Sequence, residues 1–317
     1  MRKADPKRIM VCVDGSEHAM AAVKYVGDIL DFRDLDVVLF HVMRKLDDAF
    51  LDMGINPAYR KRVAEVGAWE VEQEKEIKDG MEKYRRILLD AGAPAGSLKT
   101  DVRWKKVGVS RDIIREAEKG YDAVVVGRKG LSRLKDLLLG SVAQKLVQKL
   151  GHTPVWVTGE SPGVSKVLLA FDGSEGAGKA VVCAGSFLGT DVQVTLLHVM
   201  PGMKSIQLLT PGYIPYEAEQ SLEKKWLEET KADMWPQFDK AKSQLVNSGL
   251  SPHKIDFEVI TGASSRAGAI LEEAEKGGYG TIVMGRRGLS RVAEFFMGRV
   301  SSKVLNSAKG PAVWIVS

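Results

Sequence analysis

Cysteine is scarce in this sequence, and so is any excess of charge of one sign. The 317 residues include two cysteines, Cys12 and Cys183, each inside an apolar stretch, so neither a disulfide framework nor a cysteine-based zinc site can be built. The 46 lysines and arginines against 41 aspartates and glutamates give a net charge of +5. A dedicated nucleic-acid binder carries a much more basic balance, so we expect no nucleic-acid partner.

Long apolar runs are also absent. No stretch of about 18 apolar residues occurs, and the first residues, MRKADPKRIMVCVDGS, contain no apolar run of signal-peptide length. We therefore expect a cytoplasmic protein with no membrane partner. Because 44% of the residues are apolar, a chain of this length can bury the cores of two domains of about 150 residues each.

The sequence repeats itself along its whole length. MVCVDGSEHAMAAV from residue 10 matches LLAFDGSEGAGKAV from residue 168, and LFHVM matches LLHVM. Asp14 aligns with Asp172 and Gly127 with Gly285, both 158 positions apart. The pattern predicts two domains, over residues 1–158 (half one) and 165–317 (half two). The polar stretch TGESPGVSK between them is suited to a linker.

Apolar runs alternate with amphipathic segments in each half. Half one has predicted strands at IMVCV, VVLFHV, LKTDVRWKKV, AVVVG and PVWV. Helices are predicted from about Ser16, over about Val66 to Ala91, from Arg111 and from Ser141. We predict an α/β fold class with two tandem doubly wound domains, each a five-stranded parallel sheet sandwiched by helices. Two connections, residues 43–61 and 200–217, are longer than a compact fold needs. Each is either an irregular surface loop, or a flap over the site or a partner surface.

A glycine motif follows the fourth predicted strand of half one. Within VVVGRKGLSRLKDLLLGSVAQKL, Gly127, Gly130, Gly140 and Ser141 read G-x2-G-x9-G-[ST], which is neither a P-loop nor a G-x-G-x-x-G fingerprint. Glycine lets a backbone approach a ligand, and a helix N-terminus attracts phosphate. Ligands of parallel sheets bind at the carboxyl ends of strands, where Asp14 is also expected. The motif therefore predicts a phosphate site.

Half two keeps the motif with one change. Gly285, Gly288 and Gly298 have the same spacing, but Arg299 stands where half one has Ser141. Arginine either pairs with a phosphate or fills its place, and we expect an occupied half one and a weakened or altered half two. Basic side chains flank both motifs and are expected either to face a phosphate or to form a solvated loop face. They are Arg128, Lys129, Arg133, Arg286, Arg287 and Arg291.

With these motifs the chain resembles the universal stress protein family in a tandem form. The resemblance rests on VDGS and FDGS, on HV at 41–42 and 198–199, on the glycine motif and on the closing PVWV-type strand. It implies that ATP is bound with the main chain of Val42 at adenine, with Asp14 near the sugar, the phosphates or Mg²⁺, and with the fifth strands of the halves meeting edge to edge. The implied site of half one is Val13, Asp14, Val42, Val126, Gly127, Arg128, Gly130, Gly140, Ser141 and Val142. The counterpart in half two is Asp172, Val199, Gly285, Gly288, Gly298 and Arg299.

The family resemblance implies a stress-response regulator that acts through nucleotide-dependent conformation or assembly. We expect a homo-oligomer, a dimer of tandem chains, with a protein partner of unknown identity. Alternatives from the residues are a slow ATPase or nucleotide-dependent transferase that uses Asp14 with a divalent ion, and a nucleotide-free scaffold that binds a protein or lipid. Asp14 and Asp172 could simply cap a turn, and His41 and His198 fit buried histidines better than catalytic ones. No Ser-His-Asp order or carboxylate pair indicates dedicated catalysis.

Overall fold

The computed structural model describes residues 6–43, 57–130, 139–160, 162–202, 216–289 and 297–317. Arg133, Arg291 and residues 44–56 and 203–215 of the two long connections lie outside the described residues. In half one the order is β1 (Lys7–Cys12), α1 (Glu17–Ile29), β2 (Leu35–Met43), α2 (Pro57–Asp90), β3 (Leu98–Trp104), α3 (Val109–Ala117), β4 (Ala123–Gly127), α4 (Ser141–Lys149) and β5 (Val155–Thr158).

Half two repeats this order. Its elements are β6 (Lys166–Ala170), α5 (Glu175–Phe187), β7 (Gln193–Pro201), α6 (Tyr216–Asn247), β8 (Ile255–Ala263), α7 (Arg266–Lys276), β9 (Thr281–Gly285), α8 (Arg299–Ser307) and β10 (Ala312–Val316). The long helix α2 begins at Pro57, earlier than the predicted start near Val66. Proline suits the first turn of a helix, and the following residues are rich in helix-forming Ala, Glu, Lys and Arg.

All the described strands form one sheet in the order β3-β2-β1-β4-β5-β10-β9-β6-β7-β8. Within each half the neighbours are parallel, which confirms the predicted fold class. The junction β5–β10 is antiparallel and pairs Trp156 with Trp314, so the fifth strands meet edge to edge as expected. Because this junction is antiparallel, the strands of half one and half two point in opposite directions. The carboxyl ends of the strands of one half therefore lie level with the amino ends of the strands of the other.

Both faces of the sheet are covered. Alternate side chains such as Val11 and Leu39 face α1, α2, α5 and α6, whereas Met10 and Phe40 face α3, α4, α7 and α8. Strands that are buried on both faces must be apolar throughout, which explains why the central strands are continuous runs of apolar residues. The core is therefore continuous across the junction between the halves.

The centre of the junction is an aromatic cluster. Trp156 and Trp314 are fully buried and stack with ring centroids 3.8 Å apart. The Trp314 Nε1 donates to the Tyr25 hydroxyl at 2.8 Å, and that hydroxyl is 2.7 Å from Thr281 Oγ1. Helix α1 of half one is thereby bonded to two strands of half two.

Candidate functional site

Three neighbouring strands of half one end close together. The parallel register places Cys12 beside Phe40 and Val126, so the residues after β1, the end of β2 and the end of β4 share one edge of the sheet. The Val13 amide continues the ladder by donating to Phe40 O at 3.0 Å. The strand-end residues predicted for half one therefore come together, and the corresponding strands of half two do the same.

Asp14 has two roles in the turn that leaves β1. Its Oδ1 accepts from the Ser16 amide at 3.1 Å, and Ser16 in turn caps α1 by accepting from Ala19 N at 3.1 Å. Gly15 supplies the positive φ of +85° that the turn requires. The other oxygen, Oδ2, faces the glycine motif, because a Cβ built on Gly130 would lie 2.3 Å from it. Asp14 is thus both a turn cap and part of the motif's surroundings.

The glycines allow close approach between parts of the protein itself. A Cβ on Gly127 would lie 2.9 Å from His18 O in the first turn of α1. At Gly140 it would lie 3.1 Å from Arg128 O, and the Gly140 amide donates to that same oxygen at 2.7 Å. The motif therefore folds tightly against β1, α1 and itself. Local sequence could not distinguish this packing from close approach to a ligand.

Helix α4 begins without a side-chain cap. In the described structure Ser16, Ser174 and Ser265 directly precede α1, α5 and α7, and their hydroxyls accept an amide hydrogen of the first turn. The residue that precedes α4 is Gly140, which has no side chain to do this. The first residue of α4, Ser141, is exposed. First-turn amides with the positive end of the helix dipole are what a phosphate group binds.

The end of β2 is rigidly held. Val42 and Val126 are only 7% and 6% exposed, so neither offers much side-chain surface to a ligand. The His41 Nδ1 donates to Val13 O at 2.7 Å. Burial lowers the pKa of His41, although the bond to Val13 and the Asp14 carboxylate oppose the shift. His41 is therefore a buried, satisfied side chain that connects β2 to the turn.

Half two repeats this backbone arrangement with some different side chains. Asp172 Oδ1 accepts from Ser174 N at 3.0 Å, and a Cβ on Gly288 would lie 2.2 Å from Asp172 Oδ2. Helix α8 also begins at a glycine, Gly298, and the following Arg299 is exposed. The change from serine to arginine thus lies at the first residue of an uncapped helix.

Further differences affect the backbone of half two at the end of β7 and in the turn after β6. In half two the first residue of α7 is Arg266, and its Nε donates to Val199 O at 3.4 Å. The first residue of the corresponding helix in half one, α3, is Val109, which has no side-chain donor. A Cβ on Gly173 would lie 2.3 Å from Gln237 Oε1, so a side chain of α6 covers this turn. Polar side chains therefore approach backbone positions of half two that correspond to the candidate site of half one.

The position of the Arg128 side chain differs from the sequence prediction. Its side chain is 1% exposed, and Nη1 donates to Leu305 O of α8, in the other half, at 2.8 Å. Burial lowers the pKa of Arg128 to about 10. The expectation that this side chain faces a phosphate is wrong, because it runs into the junction between the halves. Lys129 Nζ lies 3.3 Å from Glu160 Oε1.

Two clefts run along corresponding faces of α1 and α5, and the second is also lined by α6 and by residues of half one. The cleft of about 540 Å³ extends from Gly15 to Asp28 and is bordered by Glu160. Its counterpart of about 750 Å³ extends from Gly173 to Ser186. Both begin at the turn after a first strand, but neither is lined by the motif glycines. We assign the candidate site to the strand ends rather than to these clefts, because the motif residues converge there.

In the part of the chain that the structure describes, no three His, Cys, Asp or Glu side chains are grouped so that they could hold a metal ion. None of the described helices combines the length and apolar character needed to cross a membrane.

Comparison with known proteins gives one consistent result. The model of the family described as "Universal stress protein family" matches residues 6–159 and again residues 163–316. A universal stress protein from Mycolicibacterium smegmatis is 25% identical over 312 residues, covering 96% of this chain and 95% of that protein. A second, from Methanocaldococcus jannaschii, is 30% identical over 159 residues, 48% of this chain and 93% of the relative.

A solved structure resembles the whole chain. The crystal structure of a universal stress protein from Archaeoglobus fulgidus superposes with a TM-score of 0.54 at 18% identity, covering 98% of both chains. At this level of identity the likeness shows the shared tandem fold.

Proposed function

Because the chain belongs to the universal stress protein family, with one family domain in each half, we propose that it binds ATP in half one. The bound nucleotide biases the conformation or assembly of a stress-response regulator. The domains extend over residues 1–158 and 165–317, and the protein acts in the cytoplasm as a dimer of tandem chains.

One observation carries this proposal. The Asp14 carboxylate, the glycine motif and the uncapped start of α4 meet at one edge of the sheet. A β-carbon on Gly130 would occupy the space beside Asp14 Oδ2. An anion at this edge meets backbone amides and a helix dipole rather than bulky side chains.

The residues of half one fit a nucleotide with these roles. The amides at Ser141 and Val142 bind phosphate and the Ser141 hydroxyl adds a donor, while Gly140 lets the backbone turn closely into the helix. The backbone at Val42 and Val126 borders the base, while Val13, Gly127, Arg128 and Gly130 shape the turn and the loop. Asp14 is suited to a nucleotide-bound Mg²⁺, which would supply positive charge against the phosphates. The exposed Ser141 at the start of α4 leaves room for a triphosphate.

Half two is proposed to be weakened or altered. Its frame, built on Asp172, Gly285, Gly288 and Gly298, keeps the geometry of half one. However, Arg266 bonds to the carbonyl of Val199, and Arg299 replaces the serine at the helix start. Both changes put a guanidinium where half one has a small or apolar side chain.

The proposal is tested first on the wild-type protein. Protein purified from cells and then denatured should release ATP, identified by mass spectrometry, and calorimetric titration of nucleotide-free protein should show one ATP per chain. Absence of released nucleotide together with absence of any binding heat would overturn the proposal. Sustained hydrolysis above about 1 per second that is lost in Asp14→Ala would replace it with an enzymatic function.

A pair of swaps tests the inequality of the halves. Ser141 and Arg299 are both exposed first residues of a helix, so exchanging them should not disturb folding. Ser141→Arg should weaken ATP binding at least about tenfold, which corresponds to a loss of about 1.4 kcal/mol of binding free energy. Arg299→Ser is the matched control and should leave the half-one affinity unchanged. Equal losses in both variants would contradict the assignment to half one.

A further inference from the structure

Each glycine motif sends one arginine into the opposite half. Arg128 follows Gly127 and donates to Leu305 O of α8, while Arg286 follows Gly285 and reaches the end of α4. Both side chains are almost completely buried, at 1% and 2% exposure. Two arginines in equivalent positions therefore make reciprocal contacts across the junction.

The antiparallel junction explains these contacts. Since β5 and β10 run in opposite directions, the carboxyl end of β9 lies level with the amino end of β5. Helix α4 ends at that level, just before the chain enters β5. A long side chain that follows Gly285 can therefore reach α4 without distorting either half.

Arg286 bonds to the carbonyl end of α4 at three points. Its Nη1 donates to Val147 O at 2.5 Å and to Leu150 O at 3.3 Å, and its Nη2 donates to Gln148 O at 3.1 Å. Carbonyls at a helix end have no partner within the helix, and a cation there complements the negative end of the dipole. Arg286 thus caps α4 from the other half.

Helix α4 has nine residues, so it is about 13 Å long and too short to be stable alone. Its carbonyl end is held by Arg286, and its amide end begins at Gly140 and Ser141. In a rigid element of this length, a shift at one end moves the other. The orientation of the first-turn amides therefore depends on the anchor at the last turn.

We propose that Arg286, a residue of half two, is a positioning residue for the phosphate site of half one. Arg128 anchors α8 of half two in the corresponding way. This inference rests on the proposed binding of ATP to half one. It makes the half-one site incomplete without half two, and it links any movement of the half-two motif to α4 through a single side chain.

A purely structural arginine would behave differently. Its loss would lower the stability of the fold without a selective effect on ATP affinity. Methionine keeps a long, unbranched side chain in this buried space and removes the hydrogen bonds to α4, so Arg286→Met is the test variant. Arg287→Met is the matched control, because it removes the same charge from the next residue and no described hydrogen bond joins Arg287 to α4.

The test compares full-length wild type, Arg286→Met, Arg286→Lys, Arg287→Met and Arg128→Met. Titration with ATP should show a dissociation constant raised about fivefold or more by Arg286→Met, partly restored by Arg286→Lys and unchanged by Arg287→Met. Amide hydrogen exchange without ATP should show faster exchange in α4 for Arg286→Met and in α8 for Arg128→Met.

Two outcomes would overturn the inference. One is a folded Arg286→Met protein that binds ATP with wild-type affinity, and the other is a loss of affinity in Arg287→Met equal to that in Arg286→Met. A wild-type protein that binds no ATP would instead overturn the proposed function, and this inference with it. The wild-type titration therefore distinguishes the two failures.

Discussion

At Gly130 and Gly288 an added methyl group would collide with a carboxylate oxygen, at 2.3 and 2.2 Å respectively. Neither glycine has a positive φ among the described backbone angles. The requirement is therefore space beside Asp14 and Asp172, not conformational freedom. The same residue type thus serves a different purpose here than at Gly15, where the turn itself requires glycine.

This difference gives a matched pair of variants. Gly130→Ala and Gly288→Ala should each lower the free energy of unfolding by about 1–3 kcal/mol, because both force a methyl group into occupied space. Only Gly130→Ala should also reduce ATP affinity. Urea unfolding and ATP titration of the two proteins check both statements, and an equal loss of affinity in Gly288→Ala would contradict the second.

His41 predicts a pH dependence of stability. Burial lowers its pKa in the folded protein, so below about pH 6.5 the unfolded chain binds a proton more readily. Stability from this group is present above that pH and is lost as the pH falls. His198 has the same direction of shift and cause.

Urea midpoints measured from pH 7.5 to 5.0 should therefore decline, and His41→Gln should make the decline shallower. His253 is exposed, so His253→Gln is the control and should leave the profile unchanged. A wild-type midpoint that is constant over this range would contradict the prediction.

At the scale of elements, the strands and the glycine motif could be predicted because their signals are local. Uniform apolar runs identify strands that are buried on both faces, and turn residues after β1 and β4 identify the strand ends at which the candidate site lies. The role of Arg128 could not be predicted, because its acceptor on Leu305 is 177 positions away. The same holds for Gln237 beside Gly173, which depends on how α6 packs.

The helix starts differ in a way that can be measured. Ser174 caps α5 by accepting from Ala177 N at 3.1 Å, so Ser174→Ala should cost about 1 kcal/mol of unfolding free energy. Ser141 follows the cap of α4 and is exposed, so Ser141→Ala should cost close to nothing. Chemical denaturation of both variants tests this, and a larger loss for Ser141→Ala would show that the cap assignments are wrong.

At the scale of the molecule, the two halves share one sheet and one buried aromatic cluster. Tyr25 bonds to Thr281 and Trp314 across the junction, whereas Tyr279 bonds to Thr195 within half two at 3.0 Å. The halves should therefore unfold together. Two of the six tryptophans lie at the centre of the junction, so fluorescence reports partly on it, and far-ultraviolet circular dichroism reports on all helices.

Tyr25→Phe should lower the free energy of unfolding by about 1–3 kcal/mol, since it leaves buried polar groups without their partner. Tyr279→Phe, at a less buried hydroxyl, should cost less than about 1 kcal/mol. Fluorescence and circular dichroism should give coincident transitions in the wild type. Separate transitions for the two signals would show that the junction does not couple the halves.

The antiparallel pairing of β5 with β10 has an evolutionary consequence. Two identical subunits that met in this way would have to carry the same residue on both sides of the symmetry axis. Fusion removes that constraint, so Tyr25 can stand opposite Cys183 and Ser141 opposite Arg299. Covalent connection also keeps both partners at a fixed ratio at any dilution. In a single chain, one half can therefore keep a residue pattern while the other half departs from it.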